Sequence, residues 1–230
     1  MAHFFVIAGH GAGDPGASGN GYTEAERVRA LAAKIKAYGG GDVTVGDIGR
    51  NWYADNGISS LNISKDWQII ELHMDGASSA SARGGHVIIN STFSPDKYDT
   101  ALAAFISGVL PGRAQTIVKR SDLANPKRAA AKGYPYRLLE CGFITNAEDV
   151  KIFNSQMDNI AKGILAAFGI NASGAGAVST PTTPAKPSSG TTAKSGLTVD
   201  GKWGRNTTLH LQQIFGTVQD GVVSFQRAAY

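Results

Sequence analysis

Short apolar runs alternate with longer amphipathic ones over roughly the first 170 residues. Six runs are β-branched or aromatic and bounded by Gly, Asn, Asp or Pro: 4–8, 43–46, 67–73, 86–90, 116–119 and 136–141. That pattern predicts strands. Between them, helical spacing predicts helices over 24–38, 95–109, 125–132 and 157–168. Val28, Leu31 and Ile35 share one face of the first, and Ile160, Ile164 and Leu165 one face of the last. Strands alternating with helices predict an α/β fold, a mostly parallel sheet covered by helices on both faces.

The pattern stops near residue 172. Residues 173–195 are Ala, Gly, Ser, Thr and Pro with two Lys and one Val. Such a stretch cannot bury a core and is expected to be a flexible linker. Residues 196–230 carry two Asp-Gly turn signals, at Asp200-Gly201 and Asp220-Gly221, around one amphipathic helix with Thr208, Leu211 and Phe215, or alternatively Leu209 and Ile214, inward. Thirty-five residues fall below the ~40 usually needed to fold unaided. This segment is expected to be an incomplete module, open to self-association with another copy.

Charge sharpens the division. The chain carries +4, of which +3 falls in 174–230, so the larger block is nearly neutral. A weakly basic, scattered tail suits an anionic polymer such as a cell wall and argues against nucleic acid. No apolar run approaches the ~20 residues needed to cross a bilayer. One cysteine, Cys141, excludes an internal disulfide. The N-terminus runs straight into the first strand without a basic leader. The expectation is synthesis in the cytoplasm and export by a route the chain does not encode.

Candidate chemistry gathers at strand ends and helix starts. In an open parallel sheet, sites lie at the carboxyl ends of strands. His10 ends the first strand inside Gly9-His10-Gly11, and His73 ends the strand over 67–73. Ile69, Glu71 and His73 share one face of that strand, an awkward set for an apolar layer and a reason to expect a site there. Glu24 lies four, seven and eleven residues before Val28, Leu31 and Ile35, so it sits on the helix's inward face. Glu26 lies about 200° from it at ~100° per residue and fits a capping box with Thr23. Glu24 is therefore the preferred ligand, with Glu26 as its alternative. Two histidines and a carboxylate suit zinc with one position left for water. Glu140, late in the strand over 136–141, is the spare carboxylate for proton transfer. Alternation turns Cys141 the other way, into the core; a nucleophilic role is the alternative. His86, at a strand start, reads as structural, as do His3 and His210. Asp14 is a candidate partner for a ligand histidine; a turn role at Asp14-Pro15-Gly16 explains it equally well. Residues 51–65 and 78–83 flank the strand ends and are expected to border a substrate groove.

Four ordered motifs then carry a resemblance. They are Gly9-His10-Gly11-Ala12-Gly13-Asp14-Pro15-Gly16-Ala17, Gly21-Tyr22-Thr23-Glu24, Glu71-Leu72-His73, and Leu139-Glu140-Cys141-Gly142-Phe143-Ile144-Thr145-Asn146. Together they resemble the zinc-dependent N-acetylmuramoyl-L-alanine amidases of bacterial autolysins and phage endolysins, over about residues 1–170. Glu24-Ala25-Glu26 departs from that family's commoner Glu-Lys-Asp. The resemblance implies a phosphorylase/hydrolase-like fold, one zinc at His10, Glu24 and His73, and Glu140 as catalytic acid/base. It also implies peptidoglycan as substrate. From Leu197 the chain is similar to peptidoglycan-binding repeats, through Leu197, Val199, Asp200, Gly201, Gly204 and Thr207. A hydrolase with a linker and a wall-binding tail is the layout of a phage endolysin, released to the wall through a holin pore. Competing expectations are a zinc peptidase cutting within the stem peptide and a non-catalytic wall-binding protein.

Overall fold

A computed structural model describes residues 3–11 and 13–172. The expected linker and C-terminal module, and His210, lie outside the described residues. The elements in chain order are β1 (Phe4–Ala8), β2 (Ser18–Gly19), β3 (Tyr22–Thr23), α1 (Glu24–Gly39), β4 (Val43–Val45), α2 (Gly57–Ser60), β5 (Gln68–Asp75), β6 (His86–Asn90), α3 (Lys97–Val109), β7 (Ile117–Arg120), α4 (Ala124–Lys132), β8 (Tyr136–Phe143), α5 (Ala147–Ser155) and α6 (Met157–Ala167).

Six strands form one sheet in the order β4-β1-β5-β8-β6-β7, and β2 pairs with β3 in a small hairpin. β4, β1, β5 and β8 are parallel; β6 is antiparallel to β8 and parallel to β7. Alternation along the strands supplies two apolar layers. Phe4, Val6, Ile70, Leu72 and Leu139 pack with Val28, Leu31 and Ile35 of α1 and with Ile160 and Ile164 of α6. Phe5, Ile7, Ile69, Ile88 and Leu138 pack with Trp52, Ile58 and Ala129 on the opposite face. Helices thus cover both faces of a mostly parallel sheet, as the alternating pattern predicts. Burial of each such Leu, Ile, Val or Phe stabilises by roughly 1.5–3 kcal/mol.

Two differences bear on the site. β5 and β8 run two residues beyond their expected ends, to Asp75 and Phe143. Met74 and Phe143 are buried there, so pairing carries on through a register shift between His73 and Asp75. In addition, the reversed β6 brings its start, not its end, to the edge where β1, β5 and β8 finish. His86 pairs directly with Glu140, and His73 pairs with Glu140 on the other side.

Candidate metal centre

The chain leaves β1 through Gly9. A Cβ at Gly9 would lie 2.5 Å from Cε1 of His73 and 2.7 Å from the Leu72 carbonyl oxygen, so only glycine allows this approach of the two strand ends. His10 follows at φ 61°, a left-handed conformation uncommon outside glycine. Arg29, one turn into α1, holds that conformation: its guanidinium donates to the carbonyls of Gly9 (3.0 Å) and His10 (2.9 Å). Asp14 accepts from His10 Nδ1 at 2.9 Å, from the Gly16 amide at 2.9 Å and from Asn51 Nδ2 at 3.0 Å. His10 Nε2 is thereby turned to Glu24, 3.1 Å from Oε2. The expected contact of Asp14 with His10 is thus present.

Glu24 opens α1 and is 4% exposed. Its Oε1 accepts from His73 Nδ1 (2.7 Å) and the Met74 amide (3.0 Å), and its Oε2 from the Ala17 amide (3.0 Å). Burial works to raise this carboxyl, but hydrogen bonds from His10 and His73 outweigh it and hold the group well below its usual range. Glu26 is exposed. Thr23 Oγ1 accepts from the Glu26 amide, which is half of the expected capping box. The reciprocal half is absent: the Glu26 side chain instead pairs with Arg27 at 2.5 Å, drawn to a full positive charge rather than to a neutral amide. Helical phase separates the two glutamates as the apolar spacing predicts.

His73 lies between two carboxylates. Nδ1 faces Glu24 and Nε2 faces Glu71 at 3.2 Å. Burial opposes a charge on this ring, yet the bonds to Glu24 and Glu71 raise its pKa well above the ordinary histidine value. His10, Glu24 and His73 each offer a ligand atom, all within 4.8 Å of one another. Glu26 is not in the group.

Glu140 sits beside His73 in the cross-strand row. Its Oε2 is buried with no hydrogen-bond partner among the described residues. Burial pushes its carboxyl up to about 8, and the nearby negative charges of Glu24 and Asp75 add to the effect against the pull of His73. Cys141 points into the opposite layer, fully buried, and burial drives its thiol well above the ordinary range, which leaves no nucleophile there. His86 is 2% exposed at the site edge, 4.0 Å from Asp75, and does not join the ligand group. His3 bonds Thr44.

A cavity of about 240 Å³ opens beside the group, lined by His10, Tyr53, Glu71, His73, Leu123 and Asn125 among others. Of the two segments expected to border a groove, 51–65 contributes Tyr53 to this cavity and Asn51 to the hydrogen bonds behind His10. No residue of 78–83 lines it. Sequence reasoning missed Arg29, Asn125 and Tyr136, because each reaches the site from a segment with no motif of its own. Glu71 left one signal, its place on the His73 face.

Comparison with known proteins identifies the family and the fold. Residues 5–169 match the family described as N-acetylmuramoyl-L-alanine amidase. A probable autolysin of Staphylococcus aureus is 33% identical over 190 residues, covering 71% of this chain, and the chain spans 37% of that protein's length. In fold, the chain is similar to the catalytic domain of an endolysin targeting Clostridia difficile (TM-score 0.58, 18% identity, 74% of this chain and 99% of that one). It is also similar to the apo form of the amidase Ami1 from Mycobacterium abscessus (TM-score 0.55, 16% identity, 74% and 98%). With a family match that spans most of its length, the chain belongs to the N-acetylmuramoyl-L-alanine amidases.

Proposed function

We propose that the protein is a zinc-dependent peptidoglycan hydrolase. It cleaves the amide between N-acetylmuramic acid and the L-alanine of the stem peptide. His10, Glu24 and His73 hold one zinc ion, and Glu140 is the acid/base. The observation that carries this reading is the convergence of two imidazoles and a carboxylate within 4.8 Å, beside a buried carboxyl oxygen with no partner among the described residues. The donor set fits zinc: two nitrogens and one oxygen leave a position open. Membership of the amidase family, and likeness to a probable autolysin of Staphylococcus aureus, support the bond and the substrate.

When bound, zinc supplies Lewis acidity toward the carbonyl oxygen and makes water a stronger nucleophile at neutral pH. Asp14 holds His10 through Nδ1, so Nε2 would be the nitrogen that holds the ion. Glu140 takes a proton from the attacking water as its oxygen bonds to the lactyl carbonyl carbon. It then delivers that proton to the alanine nitrogen as the C–N bond breaks, leaving a carboxylic acid on the sugar side and a free amine on the peptide. An amine is a poor leaving group, so this delivery matters as much as the attack. A carboxyl pushed by burial up to about 8 can hold and release a proton around neutral pH.

Digestion of purified peptidoglycan should expose L-alanine as the new amino terminus. A terminus inside the stem would point to a peptidase, and new reducing sugar to a glycosidase; either would overturn the reading. Glu140→Gln should lose ~10²–10⁴ in rate and keep stoichiometric zinc, whereas His10→Ala should lose the metal. Full activity in the first, or full zinc in the second, would remove these roles.

A further inference from the structure

A second carboxylate lies one layer behind the candidate ligands. Glu71 sits mid-strand in β5, 2% exposed, on the face of Ile69 and next in register to Leu138. Alternation alone asks for an apolar residue there. A charge in such a layer costs several kcal/mol unless it is paired and hydrogen-bonded. Glu71 is so paired. Asn125 Nδ2 lies 3.0 Å from both of its oxygens, and the Tyr136 hydroxyl donates to Oε2. Asn125 is itself buried, and its Oδ1 accepts from Arg128 at 2.8 Å, which orients the amide with its NH₂ toward Glu71. One partner remains: Glu71 Oε1 faces Nε2 of His73 at 3.2 Å.

We infer that Glu71, clamped by Asn125 and Tyr136, is the positioning residue that fixes the His73 ring so that Nδ1 is the nitrogen presented to the metal. The inference rests on the zinc reading of the site. Either nitrogen of an imidazole can bind a metal, and the hydrogen bond at the other one decides which. A carboxylate only accepts, so Glu71 holds a proton on Nε2, and the proton that Nδ1 shares with Glu24 is the one the ion would displace. Glu24 faces Nδ1 at 2.7 Å, on the ligand side of the ring. Glu71 lies on the other side and outside the ligand group, so it acts through His73 and not on the metal. Asp14 does the converse for His10, with Nδ1 held and Nε2 presented. The two rings thus bind through different nitrogens, each set by its own carboxylate.

Glu71→Gln and Tyr136→Phe in the full chain test this. Three readouts are needed: zinc affinity by competition with a chromophoric chelator, the visible spectrum of the cobalt(II)-substituted protein, and urea unfolding of the zinc-free protein. Glu71→Gln should bind zinc ~10–100-fold more weakly and change the cobalt spectrum, because an amide can turn its NH₂ toward Nε2 and favour the wrong tautomer. Tyr136→Phe keeps the ring and loses one donor, so it should weaken zinc in the same direction by less. Unchanged zinc affinity and cobalt spectrum, with only zinc-free stability reduced, would overturn the inference. If Glu71→Gln does not fold, zinc affinity in Tyr136→Phe equal to wild type overturns it alone. Wild-type protein without stoichiometric zinc would instead reject the zinc reading of the site, and this inference with it.

Discussion

Glu140 and His86 stand side by side across β8 and β6, and burial drives them in opposite directions. It pushes the carboxyl up to about 8 and, with the charge of Arg113 beside it, the imidazole down to about 4. Burial strips each of the solvation its charged form needs, so each favours its neutral form. His86 then makes a pH prediction. Its folded value lies below the ~6.5 of an unfolded histidine, so the unfolded chain takes the proton first. Its contribution to stability is complete above about pH 6.5 and is lost as pH falls toward 4, on the order of 2 kcal/mol between pH 7 and 4.5. Urea midpoints at those two pH values should fall further for wild type than for His86→Gln, and equal falls would contradict the prediction. At this scale the sequence spoke unevenly. Helical phase distinguished Glu24 from Glu26, since both belong to one helix. The same logic could not place His86 next to Glu140, because strand direction is not encoded in strand pattern.

Elements were legible where local pattern was strong. β1 and β6 match their expected bounds, because each is an apolar run closed by glycine or polar residues. The ends of β5 and β8 were not legible: Asp75 and Gly142 interrupt the apolar run, and only pairing with a neighbour keeps the chain extended. The four-residue α2 leaves too little periodicity to detect. Helix packing yields a further expectation. Gly163 of α6 lies under the Phe105 ring of α3, and a Cβ there would meet ring atoms at 1.9–2.4 Å. Gly163→Val should therefore overpack this contact and cost about 1–3 kcal/mol, read by chemical unfolding, with zinc affinity unchanged because the helices meet away from the candidate ligands. Wild-type stability in this variant would mean the helices part freely.

Across the whole molecule, the candidate ligands come from the loop just after β1, the start of α1 and near the end of β5, up to 63 residues apart in sequence. Such a group exists only in the folded chain, so zinc should bind the folded state and stabilise it. Free zinc at about 1,000 times its dissociation constant would add ~4 kcal/mol. Thermal unfolding should therefore shift upward with zinc and downward with a chelator, and His10→Ala should show neither shift. A wild-type melting point indifferent to chelator would contradict the site.

The sequence by itself determined the layered α/β plan, the inward phase of Glu24, the opposite facing of Glu140 and Cys141, and the set of two histidines and two carboxylates. These follow from periodicity, which is a local property of the chain. Only the tertiary structure decided what surrounds that set. The reversal of β6 set His86 against Glu140, and long-range contacts brought Arg29 to the His10 loop and Asn125 and Tyr136 to Glu71. Those placements depend on pairing order and on side chains meeting across layers, neither of which any stretch of sequence specifies alone.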